Sequence, residues 1–195
     1  MNRPYSVTLT CRAAAHRVGR HLTAVHTAAA RHARIASRLV ITNDHHTLAE
    51  AARSATDLLI MDGHGYNHPE PRIGMLPLAG LRSPTTGLRA AGVVLGCCDG
   101  ATEPFPAALR AALDRPAAVL ACTGRADYDD AEMLYPTVLD TLQTIAPADV
   151  APSAMAEILE LALNTVAARW PGHNWRRWSV LPPAEACRPV AWTRR

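Results

Sequence analysis

Short apolar runs alternate along the chain with stretches whose apolar residues recur every three or four positions. Ser6–Thr10, rich in β-branched residues, predicts a first strand. Between Ala13 and Arg34, Val18, Leu22, Val25 and Ala29 are spaced by four, three and four, which is one face of a helix. Leu39–Thr42 predicts a second strand, Thr47–Ala55 a short helix and Asp57–Met61 a third strand. Residues 66–88 hold four prolines and three glycines, an irregular excursion with room for a small hairpin. Ala91–Leu95 and Ala117–Ala121 predict the fourth and fifth strands, with a helix over Pro106–Asp114 between them. Helices over Ala131–Thr144 and Ser153–Arg169 follow. In the second of these, Met155, Leu159, Ala162 and Val166 repeat the four, three, four spacing. Trp178–Leu181 predicts a sixth strand before Pro182.

This alternation of strand and helix predicts an α/β fold: a mostly parallel six-stranded sheet with helices on both faces. The unbroken runs LLIM and VVL suit strands buried on both sides. There is no internal repeat or low-complexity linker, so one domain over residues 1–195 is expected. In such sheets reactive groups gather just beyond the carboxyl ends of the strands.

Composition narrows the picture. Hydrophobic residues are 49% of the 195, which excludes a disordered chain. No charged segment leads into a long apolar run at the N-terminus, and no stretch approaches the roughly 20 apolar residues that span a bilayer. The five cysteines (Cys11, Cys97, Cys98, Cys122, Cys187) are odd in number and irregularly spaced, so free thiols in the cytoplasm are expected. All 20 basic residues are arginine. Seven of them lie in residues 1–43 with no acid, whereas residues 99–160 carry eleven acids and three arginines. That asymmetry suits a nucleic-acid surface or, more simply, solvated faces of one domain, and the simpler reading is preferred.

Two strand ends carry the chemistry. The third strand runs into Asp62-Gly63-His64-Gly65 and the fourth into Gly96-Cys97-Cys98-Asp99-Gly100. If those strands are neighbours, His64 and a cysteine stand side by side at one sheet edge. A thiol needs such a base, because the thiolate is the nucleophile and a free cysteine ionises near pH ~8.5. Histidine can take that proton and return it to a leaving amine. Neighbouring residues on a strand face opposite ways, so only one of Cys97 and Cys98 can meet His64.

The stretches DLLIMDGHG and GVVLGCCDG resemble the paired motifs of the caspase-like (clan CD) cysteine peptidases, a group that includes caspases, separases and the bacterial CHAT proteins. AALRAALDRPAAVLACTGRADYDDAEM continues the likeness, which covers residues 55–145. The resemblance implies a caspase-like three-layer sandwich and a cysteine endopeptidase that hydrolyses peptide bonds through His64 and Cys98. It aligns Cys98 with the nucleophile, leaving Cys97 as a small packing residue, and it assigns the backbone N–H groups of Gly65 and Cys98 to the oxyanion. Gly96 stands where animal caspases have glutamine, and the 34 residues from His64 to Cys98 fall short of the roughly 50 of animal caspases. The bacterial CHAT group is the better match. It further implies a protein or peptide substrate and a separately encoded activator or sensor.

For specificity, Asp127, Asp129 and Asp130 follow the fifth strand and are expected to line the mouth, favouring Arg or Lys before the scissile bond. Arg12, after the first strand, is the rival and would receive an acidic side chain, as arginine does in caspases. His64, His68, Cys97 and Cys98 have zinc-ligand chemistry but lack the usual spacing, so neither metal nor other cofactor is expected. Cys122 is a candidate for a regulatory disulfide with Cys98, or simply a buried thiol. The four tryptophans (Trp170, Trp175, Trp178, Trp192), interleaved with Arg176 and Arg177, suit C-terminal packing better than base stacking. The alternative function is a catalytically inactive caspase-like module that binds partner proteins or nucleic acid.

Overall fold

In chain order the elements are β1 (Tyr5–Arg12), α1 (His16–Ala29), β2 (Ile35–Thr42), α2 (His45–Arg53) and β3 (Thr56–Asp62). Three two-residue strands follow, β4 (Gly65–Tyr66), β5 (Arg72–Ile73) and β6 (Leu76–Pro77). Then come β7 (Ala90–Gly96), α3 (Phe105–Ala112), β8 (Ala118–Cys122), α4 (Tyr128–Thr144), α5 (Pro152–Arg169) and β9 (Trp178–Leu181). The computed structural model describes residues 3–67, 69–144, 150–181 and 183.

Six strands form one sheet in the order β2-β1-β3-β7-β8-β9, parallel except for the antiparallel last pair. All six strands expected from the sequence are present. β3 and β7 sit at the centre and are buried at every position, as their unbroken apolar runs require. β2 is an edge strand and starts at Ile35, four residues earlier than the pattern suggests. Ser37 and Arg38 break its apolar run because an edge strand can turn polar side chains to solvent, and α1 is correspondingly shorter than expected.

Helices cover both faces. The α1 residues Val18, Leu22, Val25 and Ala29 and the α5 residues Met155, Leu159, Ala162 and Val166 are all buried, and with α4 they form the core on one face. On the other face α2 and α3 pack Leu48, Ala52, Phe105 and Leu109 against Leu59, Val93 and Leu95. α2 is started by Asp44, whose carboxylate accepts from the His46 and Thr47 N–H groups at 3.2 and 3.0 Å. The excursion at 66–88 includes the small antiparallel sheet β4-β5-β6, which stands directly after His64.

The late tryptophans pack. Trp175 and Trp178 are buried in the core and Trp170 lies against it; Trp192 and Cys187 lie outside the described residues. Four of the seven N-terminal arginines make separate contacts. Arg3 grips Asp57 with two hydrogen bonds, Arg17 pairs with Asp129, Arg34 donates to the Gln143 carbonyl and Arg38 to Ser54. Among the described residues no helix is long and apolar enough to cross a membrane.

Candidate active site

β3 and β7 are hydrogen-bonded neighbours, and Asp62 pairs with Gly96 at their carboxyl ends. The chains stay together past the last paired residues, because the Gly63 N–H donates to the Gly96 carbonyl at 3.2 Å. His64 and Cys98 each lie two residues beyond that pair, and both line a cavity of about 270 Å³. The two strand ends expected to be neighbours are therefore adjacent in the sheet.

Gly65 has a steric reason. A Cβ there would fall 2.1 Å from the Cys98 carbonyl oxygen and 3.1 Å from the Cys98 nitrogen, so the two backbones touch where any side chain would part them. The Cys98 N–H finds no acceptor among the described residues. Directly after it, Asp99 adopts φ +58°, in the left-handed region that Asp tolerates better than most residues. Asp99 is tied in both directions to the loop after β8: its N–H donates to the Gly124 carbonyl at 2.7 Å, and its carboxylate accepts from the Gly124 N–H at 3.0 Å. The cysteine turn is therefore fastened on both sides.

Both cysteines line this cavity, and they differ in burial. Cys97 is 1% exposed and faces the α3 side, and burial followed by the nearby Asp62 pushes its thiol well above the ordinary range. Such a thiol stays protonated and is a poor nucleophile. Cys98 is half-buried at the cavity wall. Cys122 is buried, and burial raises its thiol to about 12, as it does that of Cys11.

The three candidate carboxylates separate, and the expectation that all of them line the mouth is corrected. Asp127 lines the cavity with His64 and Cys98, and Arg125 lies beside it with Nε 3.5 Å away. Asp129 turns to Arg17 of α1 at 2.5 Å. Asp130 is buried, accepting from His173 Nδ1 at 2.8 Å and from Trp178 Nε1 at 3.3 Å. The physical reason is that α4 begins at Tyr128, three residues before the expected Ala131. Asp129 and Asp130 thus belong to its first turn, where acids favour the helix dipole. Arg12 is in a second cavity, of about 130 Å³, on another side of His64, walled by β1, Met75 and Leu76. Its Nε is buried and has no hydrogen-bond partner among the described residues.

Three residues escaped the sequence argument. Asp62 is buried between the two cavities, and its carboxylate accepts from the Tyr135 hydroxyl at 2.5 Å. Burial outweighs that bond and the one from the Gly63 N–H, and pushes the Asp62 carboxyl up to about 7. Gly96 makes the pair possible, since a Cβ there would lie 1.8 Å from the Tyr135 hydroxyl oxygen. Tyr128 is the third: its hydroxyl lies 3.4 Å from His64 Nε2. Tyr128 and Tyr135 are seven apart on α4, a helical repeat visible only once the helix is known to begin at Tyr128. His68 lies outside the described residues, and among those described no three metal-ligating side chains are grouped. Compared with known proteins, the chain matches no family model, and no curated protein matches it.

Proposed function

We propose that this chain is a cysteine endopeptidase of the caspase-like, CHAT-type group, with Cys98 as nucleophile and His64 as acid and base. The observation that carries the reading is the register of β3 and β7, which delivers a histidine and a half-buried thiol to one cavity at the carboxyl edge of the sheet. In the reaction the Cys98 S–H proton passes to the imidazole and the thiolate attacks the peptide carbonyl carbon. The oxygen, now negative, is met by the N–H groups of Cys98 and Gly65, and preorganised donors of this kind lower such barriers by several kcal/mol, roughly 3–4 for one donor. The imidazolium then protonates the leaving amine as the C–N bond breaks. Water, giving its proton to His64, releases the acyl group and restores the thiol.

The unpartnered Cys98 N–H and the contact of Gly65 with the Cys98 backbone support this assignment. The mostly parallel sheet with helices on both faces agrees with the three-layer sandwich that the resemblance implies. For specificity, the buried and unpartnered Arg12 Nε favours an acidic side chain. Asp127 is offset by Arg125, and Asp129 and Asp130 are engaged elsewhere. The cytoplasm, a protein or peptide substrate and a separately encoded activator belong to the same proposal.

The test is labelling with a peptidyl acyloxymethyl ketone followed by mass spectrometry. Adduct on Cys98 that is lost in His64→Ala, with Cys97→Ala labelled as wild type, supports the dyad. Labelling at Cys97, or labelling of Cys98 that is indifferent to His64, ends the peptidase reading.

A further inference from the structure

The backbone of His64 is held, its carbonyl accepting from the Gly74 N–H at 2.6 Å, but this does not orient the ring. The side chain is exposed, and a solvated imidazole samples both flips and both tautomers. A base serves the thiol only when an unprotonated nitrogen faces it. Among the described residues, the bond to the ring comes from Tyr128 alone.

Tyr128 is itself clamped. Its ring stands edge-on to the imidazole, with centroids 6.3 Å apart and planes at 80°. The Arg17 guanidinium carbon lies 5.1 Å from the Tyr128 ring centroid, and Arg17 is fixed in turn by Asp129 at 2.5 Å. Residues from α1, α4 and the end of β3 thus form one line that ends on Nε2 of His64. This arrangement also gives Asp129 a use, although it does not reach the cavity.

We propose that Tyr128 is a positioning residue for His64: its hydroxyl oxygen accepts from Nε2–H, which leaves Nδ1 as the nitrogen that takes the Cys98 proton. In that step the S–H bond breaks and an Nδ1–H bond forms, while Nε2–H stays on Tyr128. The imidazolium that results donates a stronger bond to the same oxygen. Burial, followed by the nearby Asp62 and Cys98, raises the phenol above its ordinary range, with Arg17 opposing. It therefore stays protonated and neutral near pH 7. The titratable or charged groups facing Tyr128 are His64, Asp62, Cys98, Tyr66 and Arg17.

The second half of this inference rests on the dyad reading, and the first half does not. The test uses the full chain labelled with ¹⁵N-histidine, with His64 assigned from a His64→Gln spectrum, over pH 5–9. Wild type should show neutral His64 as the Nε2–H tautomer. Tyr128→Phe, which keeps the ring, should give mixed tautomers. Iodoacetamide alkylation of Cys98 at pH 6.5 should slow about tenfold in the same variant and recover at higher pH. Arg17→Ala, an exposed change that does not threaten folding, should move both readouts the same way by less. An Nδ1–H tautomer in wild type, or a Tyr128→Phe protein with unchanged His64 spectra, overturns the proposal even if peptides are cleaved. A tautomer shift with alkylation indifferent to His64 would instead keep the Tyr128–His64 bond and remove the dyad.

Discussion

Replacing Asp62 by asparagine should remove a specific pH dependence of folding. The Asp62 carboxyl is buried, and its pKa of about 7 in the fold stands above the ordinary 3.8. Between those values the folded chain holds a proton that the unfolded chain has released. Stability therefore falls as pH rises: the contribution is fully present below about 3.8 and gone above about 7. At about 1.4 kcal/mol per unit this amounts to roughly 4 kcal/mol, of which about 3 lies between pH 5 and pH 8. His21, whose pKa burial lowers, contributes with the opposite sign below its ordinary 6.5, so the raw curve mixes the two groups. The difference between wild type and Asp62→Asn isolates Asp62, because an asparagine oxygen can still accept from Tyr135. Urea unfolding at pH 5, 6, 7 and 8 should show the wild type losing about 3 kcal/mol relative to the variant, with equal m-values. A difference that stays flat across that range would refute the reasoning, since it would mean that the carboxyl titrates as an exposed group does.

Three further outcomes follow from geometry. Gly65→Ala should cost about 1–3 kcal/mol by thermal denaturation and abolish labelling of Cys98, because a backbone oxygen 2.1 Å from the new Cβ cannot swing aside as a side chain would. Trp178→Phe should cost about 1–2 kcal/mol by urea unfolding, by removing one donor to the buried Asp130. In a fluorogenic peptide library, Arg12→Ala should cut turnover of substrates with an acidic residue before the scissile bond by at least about tenfold, while Asp129→Asn keeps the wild-type pattern. Cleavage after Arg or Lys that is lost in Asp127→Asn would return recognition to the carboxylate.

Much of the fold was legible because strand and helix periods are set by burial. Val18, Leu22, Val25 and Ala29 announce a helix face, and LLIM and VVL announce strands buried on both sides. The expected adjacency of the strands ending in His64 and Cys98 is present, since β3 pairs with β7. What was not legible turns on signals with two meanings. Acids after a strand can wall a cleft or begin a helix, and Asp129 and Asp130 do the latter. Asp62 read as part of a motif because its partner Tyr135 is 73 residues away, and only the packing of α4 brings them together. Tyr128 was hidden by the same three-residue error in the start of α4.

The reversed direction of β9 has a consequence for handling the protein. β1 begins with Tyr5 at the amino pole of the sheet, and β9, running against its neighbour, ends with Leu181 opposite Val119 near the start of β8. Both flanks of the sheet therefore depart from the pole remote from His64 and Cys98. A fluorophore placed at Pro4 or at Leu181 would stand at that pole, away from the cavity that His64 and Cys98 line.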